Sequence, residues 1–516
     1  MIVIIQNFIL FLIFNISFYQ IGKFVSNLFS NSIFNEFKSI NLLLGYFLVG
    51  SIIFILNFIV PTTSFLVYLI IFSLLIYSLF TIKDYKYFLI IGLISLLIFP
   101  VTLKLNFSYD AGLYHLPYQN FLMNDKIVFG LANISRFGFS SIQDYVSSIL
   151  ITKNFILNKF LIGTYLVIFF SFLYDLNSKK GLIDKIIVIS LIISIPFVAR
   201  YFTLFIFKTD LATLIFLTIF YIFCIKYFFS ENKSEKNNYF QIISIILATV
   251  IFSKSSGVIS IFLFLIIFYY HFKNFNFLKD IIVNNLFIIL VSFLWITKNL
   301  IISGCIFYPI EFTCFNFFPW SASDQAFIDQ TAVKVFNRQP FVGMEPILNS
   351  NWFFNYWIKV YDKFLISILL VSYLIFINIS FLSSKKSYNI IYIFTLLLVL
   401  IFFQKDFVYL IKEYLNFENF IIISSLISIP IIIIFTKKIS FILKNLNLNK
   451  FYIICFGLYP ILSLILWFWN SPNPRFAIGY VISFFIFIGM LAYLILNDKN
   501  YSNNRNLINC KRINLI

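Results

Sequence analysis

Long apolar runs separated by short polar connections make up most of the chain. A run of about 20 apolar residues crosses a bilayer as one α-helix, so the pattern predicts about 13–15 transmembrane helices. The first run, residues 2–20, lacks a basic start and a small-residue cleavage site, and we interpret it as a retained span instead of a signal peptide. The predicted spans are 2–20, 41–60, 63–82, 87–103, 156–176, 186–199, 211–229, 239–253, 258–272, 281–302, 364–382, 390–404, 420–436, 451–470 and 477–495.

The polar connections predict an orientation. Lysine pairs, such as those at 179–180, 385–386 and 437–438, occur in every second connection. Cytoplasmic connections of membrane proteins are enriched in Lys and Arg, which places these pairs in the cytoplasm. The two long connections, 104–155 and 303–363, then face outward. We expect them to pack together over the membrane surface.

Composition agrees with this pattern and adds little to it. Of 516 residues, 61% are apolar and 11% are charged, and the formal net charge is +18. In a soluble protein that charge would suggest nucleic acid, but here it follows from the basic cytoplasmic connections, so no nucleic-acid partner is expected. No repeat or linker divides the sequence. The expected fold is an all-α polytopic membrane bundle, one transmembrane domain over 1–516, with membrane lipids around it.

The first outer loop gathers ionisable residues. In hydrocarbon each would cost about 2.5–3.5 kcal/mol, so their grouping indicates a site at the membrane surface. Asp110 follows directly on a span and precedes a short interfacial helix, opened by Pro117, with Gln119 facing water. The alternative is that Asp110 is a helix N-cap. His115 could assist Asp110 or bind a metal, or it could be an ordinary hydrogen-bonded histidine.

The second outer loop begins where Lys298 and Asn299 end a span. Cys305 and Cys314 are nine residues apart on the oxidising side of the membrane, and we predict a disulfide between them. Two buried thiols are the alternative.

Several cations are expected at the outer ends of spans. Arg200, Lys208, Asp210 and Lys254 are polar residues of the outer side, Lys298 ends a span there, and Arg475 is flanked by Pro472 and Pro474. Arginine suits forked contacts with phosphate. Each cation could equally extend from the membrane as an ordinary interfacial residue. Together they would form a phosphate or diphosphate cradle only if they converge, which the sequence leaves open.

Three segments resemble motifs of the GT-C superfamily of membrane glycosyltransferases. They are YDAGLYHLP at 109–117, WITKNLIISGCIFYP at 295–309 and NPRF at 473–476. The resemblance implies a catalytic carboxylate in the first large outer loop, carried here onto Asp110, and carrier-phosphate contacts from Lys298 and Arg475. The chain departs from the family in having four spans before that loop, and in lacking a paired acidic motif beside Asp110. A divalent metal therefore stays an open possibility.

The expected function is inverting glycosyl transfer on the outer face of the bacterial cytoplasmic (inner) membrane, in cell-envelope assembly. The donor would be a polyprenyl-phosphate-linked sugar, and the acceptor a hydroxyl of a glycan or lipid. Asp110 would act as general base, with His115 as its assistant. The candidate substrate-binding residues are Tyr114, Lys254, Lys298, Asn299 and Arg475. No P-loop or dinucleotide motif points to a cytosolic nucleotide sugar.

Three other functions remain open from the sequence. An O-antigen-type polymerase or ligase would rest on outer Arg and His residues, such as Arg136, Arg338 and His115. A lipid-linked sugar flippase or transporter would need a charged path through the bundle and matching halves. A purely structural membrane protein is the third alternative, and it would need neither catalytic residues nor a charged path.

Overall fold

A computed structural model describes most of the chain. The described residues are 2–29, 31–81, 84–151, 155–179, 181–274, 282–338, 352–383 and 450–513. The predicted spans at 390–404 and 420–436 lie outside them.

The described chain is almost entirely helical. Its α-helices are α1 Ile2–Leu28, α2 Ile33–Glu36, α3 Ser39–Leu56, α4 Phe65–Thr81, α5 Tyr85–Leu103, α6 Leu116–Asn124, α7 Ile142–Ser148, α8 Ile156–Ser178, α9 Leu182–Tyr201, α10 Asp210–Phe229, α11 Lys233–Ser253, α12 Ser260–Asn274, α13 Asn284–Ser303, α14 Ser323–Arg338, α15 Ile358–Ser383, α16 Lys450–Asn470 and α17 Pro474–Ile513. Two short strands, β1 Asn106–Phe107 and β2 Phe205–Ile206, form one parallel pair.

Ten helices of the described chain are long and apolar enough to cross a membrane, which makes this an all-α, multi-pass membrane protein. Every predicted span within the described residues coincides with a helix. The shorter apolar helices Phe65–Phe80 and Cys455–Asn470 also match predicted spans. Helix α11 matches the predicted span 239–253 but is not among the ten, because its first turns, 233–238, are polar.

The chain divides into two compact units. The first comprises Met1–Lys179, Leu204–Tyr356 and Ile465–Gly479, and the second comprises Lys180–Thr203, Trp357–Leu464 and Tyr480–Ile516. In the second unit α9 packs on α15, with the ring centroids of Phe197 and Phe364 5.5 Å apart. All the candidate site residues named from the sequence belong to the first unit.

The core of the first unit contains one very close helix contact. A Cβ added to Gly22 would lie 1.8 Å from the Asn41 carbonyl oxygen, and one added to Gly45 would lie 1.9 Å from that of Phe18. Only glycine therefore lets α1 and α3 approach backbone to backbone, as small residues do between membrane helices.

Polar side chains of the first unit gather at helix ends. At one end, Lys38 forms an ion pair with Asp84 at 2.7 Å and Lys179 with Glu36 at 3.1 Å. These residues lie in connections that the lysine pattern assigns to one side of the membrane. Successive spans alternate in direction, so the connections at 104–110 and 204–210 lie at the opposite end.

The first long connection enters the bundle instead of lying over it. All seven residues of α7 are buried, although five of them are polar or carry a hydroxyl. Gln119 is also buried, and its amide donates to Asp144 Oδ1 at 3.1 Å. The prediction that Gln119 faces water is therefore wrong, because a buried carboxylate requires donors and Gln119 supplies one.

Candidate active site

A two-residue strand pair positions the first part of the site. Asn106 pairs with Phe205 and Phe107 with Ile206, in parallel register. Because paired parallel strands run in the same direction, the residues that follow the two strands lie side by side at the same edge. Asp110 and Lys208 both follow these strands, and Lys208 Nζ lies 3.9 Å from Asp110 Oδ2.

The turn after β2 is strained. Phe207 has a φ of 67°, a left-handed conformation that costs an L-residue roughly 1–2 kcal/mol. Its ring is buried and packs against those of Phe107 and Phe155, with centroids 5.9 Å away in each case. Strained backbone of this kind persists only where packing enforces it, and it is concentrated at functional sites. Phe207 immediately precedes Lys208.

Asp110 stands at the start of a single π-helical turn, Ala111–His115. Its side chain makes no capping hydrogen bond; the Ala111 amide donates instead to Ser108 Oγ at 3.1 Å. The Asp110 carboxylate faces Arg475, whose Nη1 lies 3.5 Å from Oδ2. The alternative that Asp110 serves as a helix N-cap is therefore wrong, because its side chain accepts no hydrogen bond from the following turn. π-turns within helices recur at functional sites.

Arg475 enters the site from the beginning of α17. Pro474 opens the helix, and the Arg475 amide donates to Asn473 Oδ1 at 3.2 Å. The guanidinium lies 4.6 Å from the ring centroid of Phe476. Its Nε is buried without a hydrogen-bond partner among the residues that the structure describes. The Arg475 and Asp110 side chains keep 32% and 23% of their surface exposed, so a ligand can reach both.

A second ion pair adjoins the first. Asp210, the first residue of α10, pairs with Lys254, which lies in the break between α11 and the following 3₁₀ turn. Lys254 Nζ also lies 3.9 Å from the centroid of the Phe476 ring, which Arg475 contacts as well. The site therefore holds three cations and two carboxylates, with an excess of one positive charge.

The electrostatics favour an anionic ligand. Burial, together with the charge of Arg475, lowers the pKa of Lys208. Burial likewise lowers the pKa of Lys254, against the opposing effect of Asp210. Burial and the charge of Asp110 raise the pKa of Tyr114 above its usual range. An anion bound here would relieve the repulsion among the cations, because opposite charge at a few ångströms favours the protonated lysine.

His115 has Asp144 as its partner in this structure. His115 Nδ1 lies 3.0 Å from Asp144 Oδ1, and both side chains are buried. Asp144 Oδ2 accepts from the Ser141 amide at 3.0 Å and from Ser141 Oγ at 2.7 Å. Burial opposes ionisation of Asp144, yet His115, Ser141 and Gln119 together hold its pKa below the usual value. The Tyr114 ring lies 4.3 Å from the imidazole.

Lys298 and Asn299 do not join the cluster around Asp110. Lys298 is fully buried, with Nζ 2.7 Å from Ser140 Oγ and 3.4 Å from the centroid of a Trp295 ring. Residues three apart share one helix face, and Trp295 takes Lys298 into the packed side of α13. The Asn299 amide donates to the Ile306 carbonyl at 2.9 Å, so it shapes the turn after α13. Lys298 and Asn299 therefore stabilise the second long connection and do not line the charged cluster around Asp110.

The remaining predicted residues have structural partners. Cys305 and Cys314 are joined by a disulfide. Arg338 is buried and donates to the Trp469 carbonyl at 2.6 Å, and its guanidinium lies 5.0 Å from the Trp352 ring. No group of three or more His, Cys, Asp or Glu side chains in the described part of the chain has the geometry to hold a metal ion.

Lys208 and Asp210 are among the outer-side polar residues predicted from the sequence, but they are not among its candidate site residues. They carry the same signal that pointed to Asp110, since each charged residue lies beside the end of an apolar span. What the sequence lacked was the pairing of β1 with β2, because two-residue strands leave no alternating pattern to recognise.

Residues 1–405 match the profile of a family described as a domain of unknown function, DUF8201, and the chain belongs to that family. No curated protein and no solved structure matches the chain.

Proposed function

We propose that this member of the DUF8201 family is an inverting glycosyltransferase that moves a sugar from a polyprenyl-phosphate-type carrier to an acceptor hydroxyl. The observation that supports it is the contact of Asp110 with Arg475 and Lys208 at one end of the bundle. A partly exposed carboxylate among partly buried cations offers both a proton acceptor and a phosphate cradle in one place.

The reaction would be a direct displacement at the anomeric carbon. The acceptor oxygen bonds to that carbon while its proton passes to the Asp110 carboxylate. The bond from the anomeric carbon to the phosphate oxygen breaks, and its electron pair leaves with the carrier phosphate. The products are the glycoside, the carrier phosphate and a protonated Asp110.

The cations act most strongly on the transition state. A carrier phosphodiester has one negative charge and the departing monoester has two, so charge develops on the phosphate as the bond breaks. Arg475, Lys208 and Lys254 would therefore bind the transition state more tightly than the donor, which is the condition for catalysis. Donor phosphate would also compete with Asp110 for Arg475 and Lys208, leaving the carboxylate free to accept a proton.

His115 and Tyr114 would position the catalytic turn. In a π-helix, backbone hydrogen bonds join residues five apart, which places Asp110 and His115 one turn from each other. Asp144 fixes the His115 ring, and Tyr114 packs between that ring and Phe139. This support would hold the Asp110 carboxylate toward Arg475.

The proposed setting is the outer face of the bacterial cytoplasmic membrane, in cell-envelope assembly. The paired lysines of alternate connections favour that orientation. A carrier lipid anchored in the outer leaflet would bring its phosphate to the span ends where Arg475 and Asp110 lie. The acceptor would be a hydroxyl of a glycan or of another lipid.

Asp110→Asn tests the proposal, because it keeps the shape of the side chain and removes its basicity. Transfer from short-chain prenyl-phosphate sugars should fall roughly 10²–10⁴-fold. Binding of farnesyl phosphate, measured by calorimetry, should persist or tighten, since the cluster gains one positive charge. Asp125→Asn, an exposed carboxylate of the same loop, is the matched control and should leave both unchanged. Full transfer by Asp110→Asn would overturn the mechanism.

A further inference from the structure

Helix α14 is amphipathic in the opposite sense to a helix on a soluble surface. From its second turn onward it exposes Phe327, Ile328 and Phe336, whose surfaces are 54%, 56% and 55% accessible. Its buried side instead carries Asp329 and Asn337. Helices that face water bury their apolar stripe and expose their polar one. An outward apolar face over a polar inner face requires an apolar environment outside the protein.

The polar side of α14 is occupied by the protein. Asp329 accepts hydrogen bonds from Tyr308 Oη at 2.5 Å and from Gln325 Nε2 at 3.1 Å. The Asn337 amide donates to Ser471 Oγ at 2.9 Å. Arg338, at the end of the helix, donates to the Trp469 carbonyl. These bonds fix which side of α14 turns outward.

The same contacts fix the depth of α14. Trp469 lies in the last turn of the apolar helix α16, and Ser471 follows that helix directly. Trp469 is itself 66% exposed, and Ile465, one turn earlier, is 57% exposed on the outward surface of the same span. The C-terminal end of α14 is thereby held beside the end of an apolar helix whose own outward surface is apolar. Aromatic residues at span ends are typical of the membrane interface.

We propose that α14 lies in the outer interface of the bilayer, with Phe327, Ile328 and Phe336 among the lipid acyl chains. The occupant of this face is thus lipid, as for other interfacial amphipathic helices. Phe312, inside the loop closed by the Cys305–Cys314 disulfide, and Phe317, three residues after Cys314, are also exposed apolar residues of this connection, at 89% and 74%. The inference concerns the surface of the protein and does not depend on the proposed transfer reaction.

Spin labels in lipid nanodiscs test the proposal. Single cysteines would replace Phe327, Ile328 and Phe336 in a Cys510→Ser background that retains the disulfide, and each would carry a nitroxide. Collisions with dissolved oxygen and with a water-soluble nickel chelate would then be measured. The lipid control is a label at Ile465, and the water control is a label at Asn124, which is exposed in the first long connection.

The expected result is high oxygen and low nickel accessibility at all three positions, close to the values at Ile465. Equal nickel accessibility at the three positions and at Asn124 would overturn the proposal and place the face in water, available to a protein partner. Exposed positions tolerate the label, and co-elution of each labelled variant with the unlabelled protein checks that the fold is intact.

Discussion

At the scale of single residues, Arg475 has contacts that its sequence position alone does not reveal. Its guanidinium reaches Asp110, stacks on Phe476 and keeps a buried Nε without a partner in the described residues. A buried donor without an acceptor is costly. The side chain as a whole keeps 32% of its surface exposed, so Arg475 offers a ligand its positive charge.

We expect Arg475→Ala to weaken farnesyl phosphate binding and to slow transfer as well, because phosphate is present in the ground state and in the transition state. Arg475→Lys should recover part of the binding, since it keeps the charge but loses the planar fork. Calorimetry and a transfer assay measure the two effects separately. Lys126→Ala, at an exposed position in the first long connection, should change neither. Unchanged binding in Arg475→Ala would exclude Arg475 from the phosphate cradle.

The sequence led to Asp110 and Arg475 because a charged residue beside a span end can be recognised without a structure. Lys298 also lies at a span end, but the sequence wrongly predicted that it would join the phosphate-binding cations. The difference lies in the partners: Asp110 has Arg475, 365 residues away, whereas Lys298 has Trp295 on its own helix and Ser140. Long-range pairings of this kind leave no trace in local periodicity.

At the scale of elements, α7 supports the site from within the bundle. Its capping box ties Ser141 to Asp144, whose carboxylate also accepts from Gln119 and pairs with His115. Buried carboxylates are stable only when their hydrogen bonds are complete. The segment IQDYVSS has the composition of an exposed turn, so hydropathy could not predict its burial. The spans, by contrast, were predictable because their periodicity and length are set by the bilayer.

Asp144→Asn should destabilise the protein, because an amide cannot accept from both pairs of donors. Each buried donor left without an acceptor costs about 1–3 kcal/mol. The lowered pKa of Asp144 means that its contribution is present above about pH 4, the unfolded-state value, and is lost as the pH falls through the folded-state value. Unfolding can be followed by thiol-reactive dye at the buried Cys224 and Cys455.

The difference in free energy of unfolding between the native protein and Asp144→Asn should therefore be largest at pH 7. It should decrease in more acidic solution, because the native protein then loses the contribution of the ionised Asp144. Asp125→Asn, which alters an exposed carboxylate, should show no deficit at either pH. A variant as stable as the native protein at pH 7 would show that the buried network does not hold α7 in place.

At the scale of the whole molecule, the charged cluster around Asp110 and the Lys38–Asp84 ion pair lie at opposite ends of α5. We predict that the cluster end is extracytoplasmic. In intact cells, a membrane-impermeant maleimide should label a cysteine at Asn124 and should not label one at Glu231 until the cells are permeabilised. Both positions are exposed, so accessibility depends on the side of the membrane. The reverse labelling pattern would place the site in the cytoplasm.

The order in which the chain is made gives the Asp110–Arg475 contact a further consequence. The carboxylate leaves the ribosome early, while the arginine that faces it follows 365 residues later, at the start of α17. Membrane segments are made from the N-terminus, and contacts distant in sequence form late. A nascent or truncated chain therefore carries the acidic turn without the arginine that faces it. Under the proposed transfer reaction, activity would therefore begin only once α17 has been synthesised.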